Sequence, residues 1–384
     1  MGLLLLMGGS GFDVRAQLFA AGEAGAWYDP SDFSTMWQDA AGDTPVTASG
    51  DPVGLILDKS RSGPSMGSNQ ITNGGFGADS DWTKGTGWTI GSGVATKAAG
   101  SASVLSQAQT MTAGRYYIVT YTITRTAGSI TPQFAGGSTV SGTARSTSGT
   151  FTDIMTAVSG NNTVQFSADA SFAGTVDDVS VKVLSAGNHA YQVSSAARPT
   201  LTVSSGLTGL VFDGTDDFLQ TNTIDFTASD EMSIFAGIRK SSDTSRSMVV
   251  ELGQSWQIDN GSFGIEAPQG NGLDGFRLVS RGTTSNSQTP TGYAAPTTRL
   301  ITMLADISAP SLVGRIGGVQ VVNSTASQGT GNFSSNRIFI GRRNGTEIAF
   351  NGIVYQLIVR GLLTSGVKLT GAERFAGAKA GLTI

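Results

Sequence analysis

The chain has no cysteine, which removes disulfide frameworks, thiolate zinc sites and thiol nucleophiles together. It has a single histidine, His189, so any Ser-His-Asp or histidine-metal scheme must pass through that one residue. Charged side chains make up only 14% of the sequence, with a net charge of -4 at pH 7. That balance gives no basic footprint for nucleic acid or for an anionic membrane, and neither is an expected partner. Long apolar runs are also missing. The leucine run within Met1 to Met7 has no basic residue before Arg15, whereas a secretory signal wants a basic start and a longer core, and a membrane span wants about 20 apolar residues. Two readings of this tip stay open. It is the first strand of a sandwich, or a strand that docks on another subunit by edge pairing, hinged at Gly8, Gly9 and Gly11.

What the sequence does have is glycine, 53 residues among 384, together with abundant Ser and Thr. This composition suits many short strands joined by tight turns, and the length is enough for two domains with separate cores. The clearest local signal is Gly209 to Leu219. Short apolar runs flank Asp213-Gly214 there, and Gly supplies the positive φ of a hairpin turn without strain. The expected hairpin turns Val211, Phe218 and Leu219 toward a core and sets Asp213, Asp216 and Asp217 around the turn. The same phrase resembles a strand-turn-strand of the laminin-G-like branch of concanavalin A-like sandwiches. The pair formed by Ile338 to Arg342 and Phe350 to Tyr355 resembles the strands that close that sandwich.

Trp27-Tyr28-Asp29-Pro30, Met36-Trp37 and Leu55-Ile56-Leu57-Asp58-Lys59-Ser60 resemble the opening of a sandwich protein common in tailed-bacteriophage virions and prophages. In that family the Asp-Lys-Ser is followed shortly by Gly-Asn-His-Ala and Arg-Pro. Here those residues stand at Gly187 to Ala190 and at Arg198-Pro199. The resemblance therefore implies an insertion. The expected organisation is a docking segment over 1-22, a concanavalin A-like sandwich built from 23-64 and 185-384, and an inserted domain over 65-184.

The insert opens on Asn73-Gly74-Gly75-Phe76 and closes on Asp177-Asp178-Val179-Ser180-Val181, with alternating segments such as Tyr117 to Thr124 and Thr163 to Ser167 between. These alternations read as half-buried strands. The pattern resembles the jelly-roll carbohydrate-binding modules of xylanases, a family that often holds a structural calcium between its two sequence ends. Of the family's ligands only Asp178 is present, the usual Glu position being Gly77, and calcium needs six or more oxygens. Sugar binding by such modules rests on exposed rings. Among Trp82, Trp88, Tyr116, Tyr117, Tyr121 and Phe134, the residues expected to carry ligand are Trp82, Tyr116 and Phe134, with Trp88 expected in the core. The expected fold is thus all-β, a concanavalin A-like sandwich with an inserted jelly roll. One short C-terminal helix is expected at the end of the sandwich, capped by Thr370 and Glu373.

Related sandwiches also host glucanases, whose Glu-x-Asp-x-Glu or Glu-x-Asp-x-x-Glu strand sets two carboxylates on one face. Glu23, Glu231, Glu251, Glu266, Glu347 and Glu373 include no such spacing. Asp213, Asp216 and Asp217 read better as turn residues capping backbone amides than as an acid-base set, and His189 as a packing or hydrogen-bonding residue. The expectation is a non-enzymatic virion protein, tail-fibre-like or spike-like, that binds bacterial surface polysaccharide as a homo-oligomer, a trimer being favoured. It would join other virion proteins through its N-terminal segment. The alternatives are a purely architectural head-decoration or fibre-scaffold protein, and a secreted or virion-borne glycan hydrolase, which the absent carboxylate motif disfavours.

Overall fold

The computed structural model describes residues 11-61 and 63-384. The strand or docking segment expected over Met1 to Met7, and its hinge at Gly8 and Gly9, lie outside the described residues. Two compact units are present. One holds the described residues up to Met36 together with Pro45–Arg61 and Asn188–Ile384, and the other holds Trp37–Thr44 with the described part of Ser62–Gly187. Trp37–Thr44 was expected in the first sandwich. Its contacts give it to the second unit, where Asp43 pairs with Lys182 Nζ at 2.5 Å and Lys182 also donates to the Ala41 and Gly42 carbonyls.

The first unit is an antiparallel sandwich. One sheet runs in the order Thr200–Ser204, Leu207–Asp213, Asn351–Arg360, Glu231–Lys240, Thr297–Asp306, Ser311–Ile316 and Val319–Ser324, with Gly25–Tyr28 also on Asn351–Arg360. The other includes Leu55–Ile56, Ala190–Tyr191, Leu219–Thr221, Ile338–Ile340, Met248–Leu252, Ser262–Glu266, Arg277–Arg281 and Ser285–Gln288. Side chains alternate across each strand. Ile234, Ala236 and Ile238 from one sheet, and Phe263 and Ile265 from the other, therefore enter one buried core.

Asp213-Gly214 does not make a hairpin. The strands on either side of it belong to opposite sheets, so the segment is an arch that carries the chain across the core. Gly214 does hold the expected positive φ, +80°. Leu219 faces the core as expected, but the strand before the turn is out of phase with the expectation: Leu210 and Phe212 are buried, while Val211, and Phe218 after the turn, are only half-buried.

Asp58 to Ser60 and Asn188 to Ala190 meet although more than a hundred residues separate them. The fully buried Asp58 carboxylate accepts the amides of Trp27 at 2.8 Å, Ser60 at 2.8 Å and Asn188 at 2.7 Å, and the Asp58 amide donates to His189 Nδ1 at 3.0 Å. Leu55–Ile56 pairs antiparallel with Ala190–Tyr191 beside them. His189 thus serves as a buried acceptor.

The C-terminal helix spans Gly366–Lys379 and starts before Thr370, behind Ser365. The i, i+3 spacing of Thr370 and Glu373 is an interior spacing here. Glu373 is buried and takes Arg315 Nε at 2.7 Å. The helix lies on the outer face of a sheet rather than at the end of the sandwich, with Ala372 and Ala376 against Phe235, Leu300 and Ile358. Small residues permit this approach, since a Cβ at Gly237 would stand 2.9 Å from the Ala376 carbonyl oxygen. A short helix, Val14–Leu18, which the sequence pattern did not indicate, joins the same cluster; Asp13 caps it by accepting the Ala16 amide.

The second unit is also an antiparallel two-sheet sandwich. Its first sheet runs Val140–Ser141, Ile130–Ala135, Thr163–Ala168, Ser103–Ala108, Thr83–Lys84, and its second runs Gly149–Thr156, Tyr116–Ala127, Ala173–Leu184, Val94–Lys97, Trp88–Gly91, with Met66–Asn69 on Ala173–Leu184. Its core holds Trp82, Trp88, Leu105, Tyr117, Tyr121, Phe134, Phe166 and Phe172. The chain enters and leaves this unit side by side, the Ser185 amide donating to the Ser65 carbonyl at 2.8 Å.

Candidate functional site

The rings expected to stack on a sugar are inside. Trp82 is 6% exposed, its ring lies 5.2 Å from Phe76 and 6.4 Å from Phe166, and its Nε1 donates to the Asn73 carbonyl at 3.1 Å. The cause is alternation. Trp82 precedes the short edge strand Thr83–Lys84; Thr83 pairs with Ser106 on the outer face, so the indole one residue earlier turns in, while Lys84, opposite Leu105, reaches solvent at the open edge and pairs with Asp79. Phe134 is fully buried, edge-on to Tyr117 at 5.6 Å, and Tyr116 is 4% exposed. None of the three offers a face to a ligand ring.

Asp178 fares no better as a calcium ligand. It is an exposed residue with φ +51° at a bulge after Asp177, and its amide donates to the Asp177 carboxylate at 2.7 Å. It belongs to no close group of three acidic side chains among the described residues. Six or more oxygens are needed for calcium, and the residues around Asp178 do not fit one.

What the second unit does present is a polar row across the outer face of its first sheet. Strand pairing sets Ser141, Gln133, Gln165, Ser106 and Thr83 abreast. With strands about 4.8 Å apart, the row is roughly 19 Å long. Gln165 Nε2 donates to Gln133 Oε1 at 2.7 Å, and Gln133 Nε2 donates to Ser141 Oγ at 3.2 Å. The flanking registers carry Thr131, Ser167 and Val104 on one side and Ala135, Thr163 and Ala108 on the other. No ionisable side chain belongs to these three registers, and the row can exchange hydrogen bonds with a hydroxyl-rich ligand. Each carboxamide has two donors and an acceptor oxygen, more than the ladder consumes. Alternation in Thr131-Pro132-Gln133-Phe134 and Val164-Gln165-Phe166-Ser167 was the available sequence signal. The pairing that joins these segments into one row was not readable from it.

In the first unit, carboxylate oxygens of Asp213, Asp216 and Asp217 lie within 4.8 Å of one another. Asp213 Oδ1 accepts the amides of Thr215 at 2.7 Å and Asp216 at 3.3 Å, and Asp217 Oδ2 accepts the Asp213 amide at 3.0 Å. Burial, and then the negative charge of Asp213 and Asp216, pushes the Asp217 carboxyl up to about 6. The cluster caps the arch. It is also the described group that could contribute three oxygens to a hard cation.

Glu251 and Glu266 were missed as a pair because they sit on different strands, Met248–Leu252 and Ser262–Glu266, which the fold makes neighbours. Glu251 accepts Arg343 Nε at 2.9 Å and the Trp256 amide at 2.7 Å. Glu266 accepts Arg246 Nε at 2.9 Å, Arg277 Nη1 at 3.0 Å and Trp256 Nε1 at 2.9 Å. The guanidinium carbons of Arg246, Arg277 and Arg343 stand 5.9, 5.7 and 5.9 Å from the Trp256 ring centre. Burial pushes the Glu251 carboxyl up to about 7 despite Arg343. Two carboxylates in contrasting surroundings are the raw material of acid-base catalysis. Here both are fully buried and spent on guanidinium and indole donors, so the cluster anchors Trp256 and Arg343 to the sheet.

No protein-family model matches the chain, and no curated protein matches it. Among solved structures it is similar to the NanB sialidase from Streptococcus pneumoniae, at 10% identity and a TM-score of 0.32, over 41% of this chain and 26% of that one. It is similar to the botulinum neurotoxin type G receptor binding domain at 13% identity and a TM-score of 0.34, over 47% of each chain. A third likeness is to the CBM40 of the Ruminococcus gnavus IT-sialidase, whose structure holds α2,3-sialyllactose, at 14% identity and a TM-score of 0.31, over 41% of this chain and 84% of that one. The match thus covers about a quarter of the NanB sialidase chain.

Proposed function

We propose that the chain is a non-enzymatic component of a tailed-bacteriophage particle, tail-fibre-like or spike-like, that binds glycans of the bacterial surface. The observation that carries the binding reading is the amide and hydroxyl row Ser141-Gln133-Gln165-Ser106-Thr83 on an open sheet face of the second unit. Sugar hydroxyls are matched by such carboxamides, each of which both donates and accepts. The phage setting rests on the Trp27 to Ser60 and Gly187 to Pro199 residues and their resemblance to virion proteins. Docking to other virion proteins belongs to the N-terminal segment in this reading, and oligomerisation multiplies weak sugar contacts. The reading is non-enzymatic because Glu251 and Glu266, which the fold brings together, are buried and bonded to arginine and Trp256 donors.

The test is a glycan array and binding to intact cells with purified protein, repeated with the double variant Gln133→Ala/Gln165→Ala. At about 1 kcal/mol per hydrogen bond lost, binding should weaken by about tenfold or more, and the melting temperature should hold because both side chains lie on the outer face. Unchanged binding by the double variant would remove the row from the reading. One observation favours the purely architectural alternative: each ring expected to stack on sugar is buried. Absence of binding to any glycan or cell would overturn the binding reading in favour of that alternative.

A further inference from the structure

The outer face of the first unit's second sheet carries two guanidiniums whose donors are only partly used. Glu266 and Arg277 stand opposite each other on neighbouring strands. Arg246 reaches the same carboxylate from the segment before Met248–Leu252, so its Nε, at 2.9 Å, and Arg277 Nη1, at 3.0 Å, meet on one oxygen, Glu266 Oε2. Both guanidiniums are thereby held side by side around Trp256. The indole fits there because its neighbour on the sheet is Gly264, where a Cβ would stand 3.3 Å from Trp256 Cδ1.

Arg246 Nη1, Arg277 Nε and Arg277 Nη2 have no partner among the described residues. None of the three is among the buried polar atoms left unpaired, and both side chains are 22% exposed, so these donors open to solvent. The charge is unbalanced as well. Arg343 is taken up by Glu251. Arg281, two positions along the same face from Val279 and four from Arg277, has only the Asn260 side-chain oxygen and the Trp256 and Gln257 carbonyls as acceptors. The arginines of this cluster therefore outnumber Glu251, Glu266 and the exposed Glu347, whose charge also reaches Arg246. Planar guanidinium forks match carboxylate and phosphate oxygens, and Glu266 and Trp256 already fix these two long side chains, which lowers the entropy lost on binding.

We propose that Arg246 and Arg277 form a binding site for an oxyanion carried on an acidic polysaccharide, either a sugar carboxylate or a phosphodiester. The site is separate from the amide row of the second unit, and only the choice of a polysaccharide as carrier rests on the glycan-binding reading. One guanidinium pair suits the spaced charges of a glycan, whereas nucleic acid is met by a longer basic stripe.

The indole N–H signal of Trp256 reports on the site, because its Nε1 donates to the carboxylate that holds both arginines; Trp256→Phe identifies that signal in the nuclear magnetic resonance spectrum. At constant ionic strength, sodium glucuronate and inorganic phosphate should shift it saturably, and neutral glucose should not. Arg277→Gln should weaken both anions by about tenfold or more. Asn271→Asp tests the same point without removing a partner of Glu266. It keeps the exposed side-chain oxygen that accepts the Arg246 amide at 2.8 Å, adds a negative charge beside the site, and should also weaken both. Gln133→Ala/Gln165→Ala should bind both like the wild type, which separates this site from the row. Capture of polygalacturonate or of a phosphodiester-linked polysaccharide on a sensor surface, with dextran as the neutral control, then identifies the acidic group. No saturable shift with either anion overturns the site, and so does a shift that both Arg277→Gln and Asn271→Asp retain in full. Anion binding without capture of either polymer, or tighter capture of single-stranded DNA, overturns the polysaccharide as carrier.

Discussion

Trp82→Ala separates a buried indole from a sugar platform. The wild-type ring is 6% exposed, packs 5.2 Å from Phe76 and 6.4 Å from Phe166, and gives its Nε1 hydrogen to the Asn73 carbonyl. Truncation removes a large apolar side chain from a close-packed core, at a cost of about 3–5 kcal/mol. It also leaves the Asn73 carbonyl without its indole donor, which adds about 1 kcal/mol. Trp82→Phe keeps most of the volume and loses the donor, so it should cost about 1–2 kcal/mol. Urea unfolding is the assay, followed through a signal of the second unit because two units need not unfold together. With a slope of about 2 kcal/mol per molar urea, Trp82→Ala should lower that unit's midpoint by about 2–3 M, and Trp82→Phe by about 0.5–1 M. Glycan binding measured well below the unfolding transition should be unchanged in Trp82→Phe. A midpoint for Trp82→Ala within error of the wild type would refute the reasoning and return the ring to the surface.

The remaining predictions concern the first unit. The folded pKa of Glu251 stands at about 7 against an ordinary 4.5, so the folded state holds its proton more tightly than the unfolded chain does. The stability this group contributes is fully present below about pH 4.5 and is lost as pH rises through about 7, at most about 3 kcal/mol in all. Glu251→Gln should flatten the fall in unfolding free energy between pH 5 and 7, and an equally steep fall in the variant would show that another group sets it. Replacing Met66–Leu184 with a short Gly-Ser linker should leave a cooperatively unfolding first unit, since Ser65 and Ser185 are already hydrogen-bonded neighbours and loop length costs only about 0.6 kcal/mol per doubling. A molten or aggregated product, by circular dichroism and light scattering, would show that the first unit depends on the second.

The sequence by itself determined what depends on neighbouring residues and on composition. Alternation and scarce charge specified an all-β chain, Gly214 had the positive φ that its turn required, and His189 was read as a hydrogen-bonding residue, which it is at Asp58. Tertiary structure decided everything that depends on which distant segments become neighbours. Asp213-Gly214 has the same local geometry in a hairpin or an arch, and only the assignment of its flanking strands to opposite sheets distinguishes them. Trp82 sits among polar neighbours in sequence, yet strand phase sends its ring inward, because a shift of one residue exchanges the two faces of a strand. Gln133 with Gln165, and Glu251 with Glu266, become pairs only through strand register. The Thr370 and Glu373 spacing fits a helix start or a helix interior equally well, and the pairing of Glu373 with Arg315, a residue on another element, selects the interior. Residue patterns carry the period of a strand or helix. The partner, the register and therefore the exposed face come from long-range packing, which no single stretch encodes.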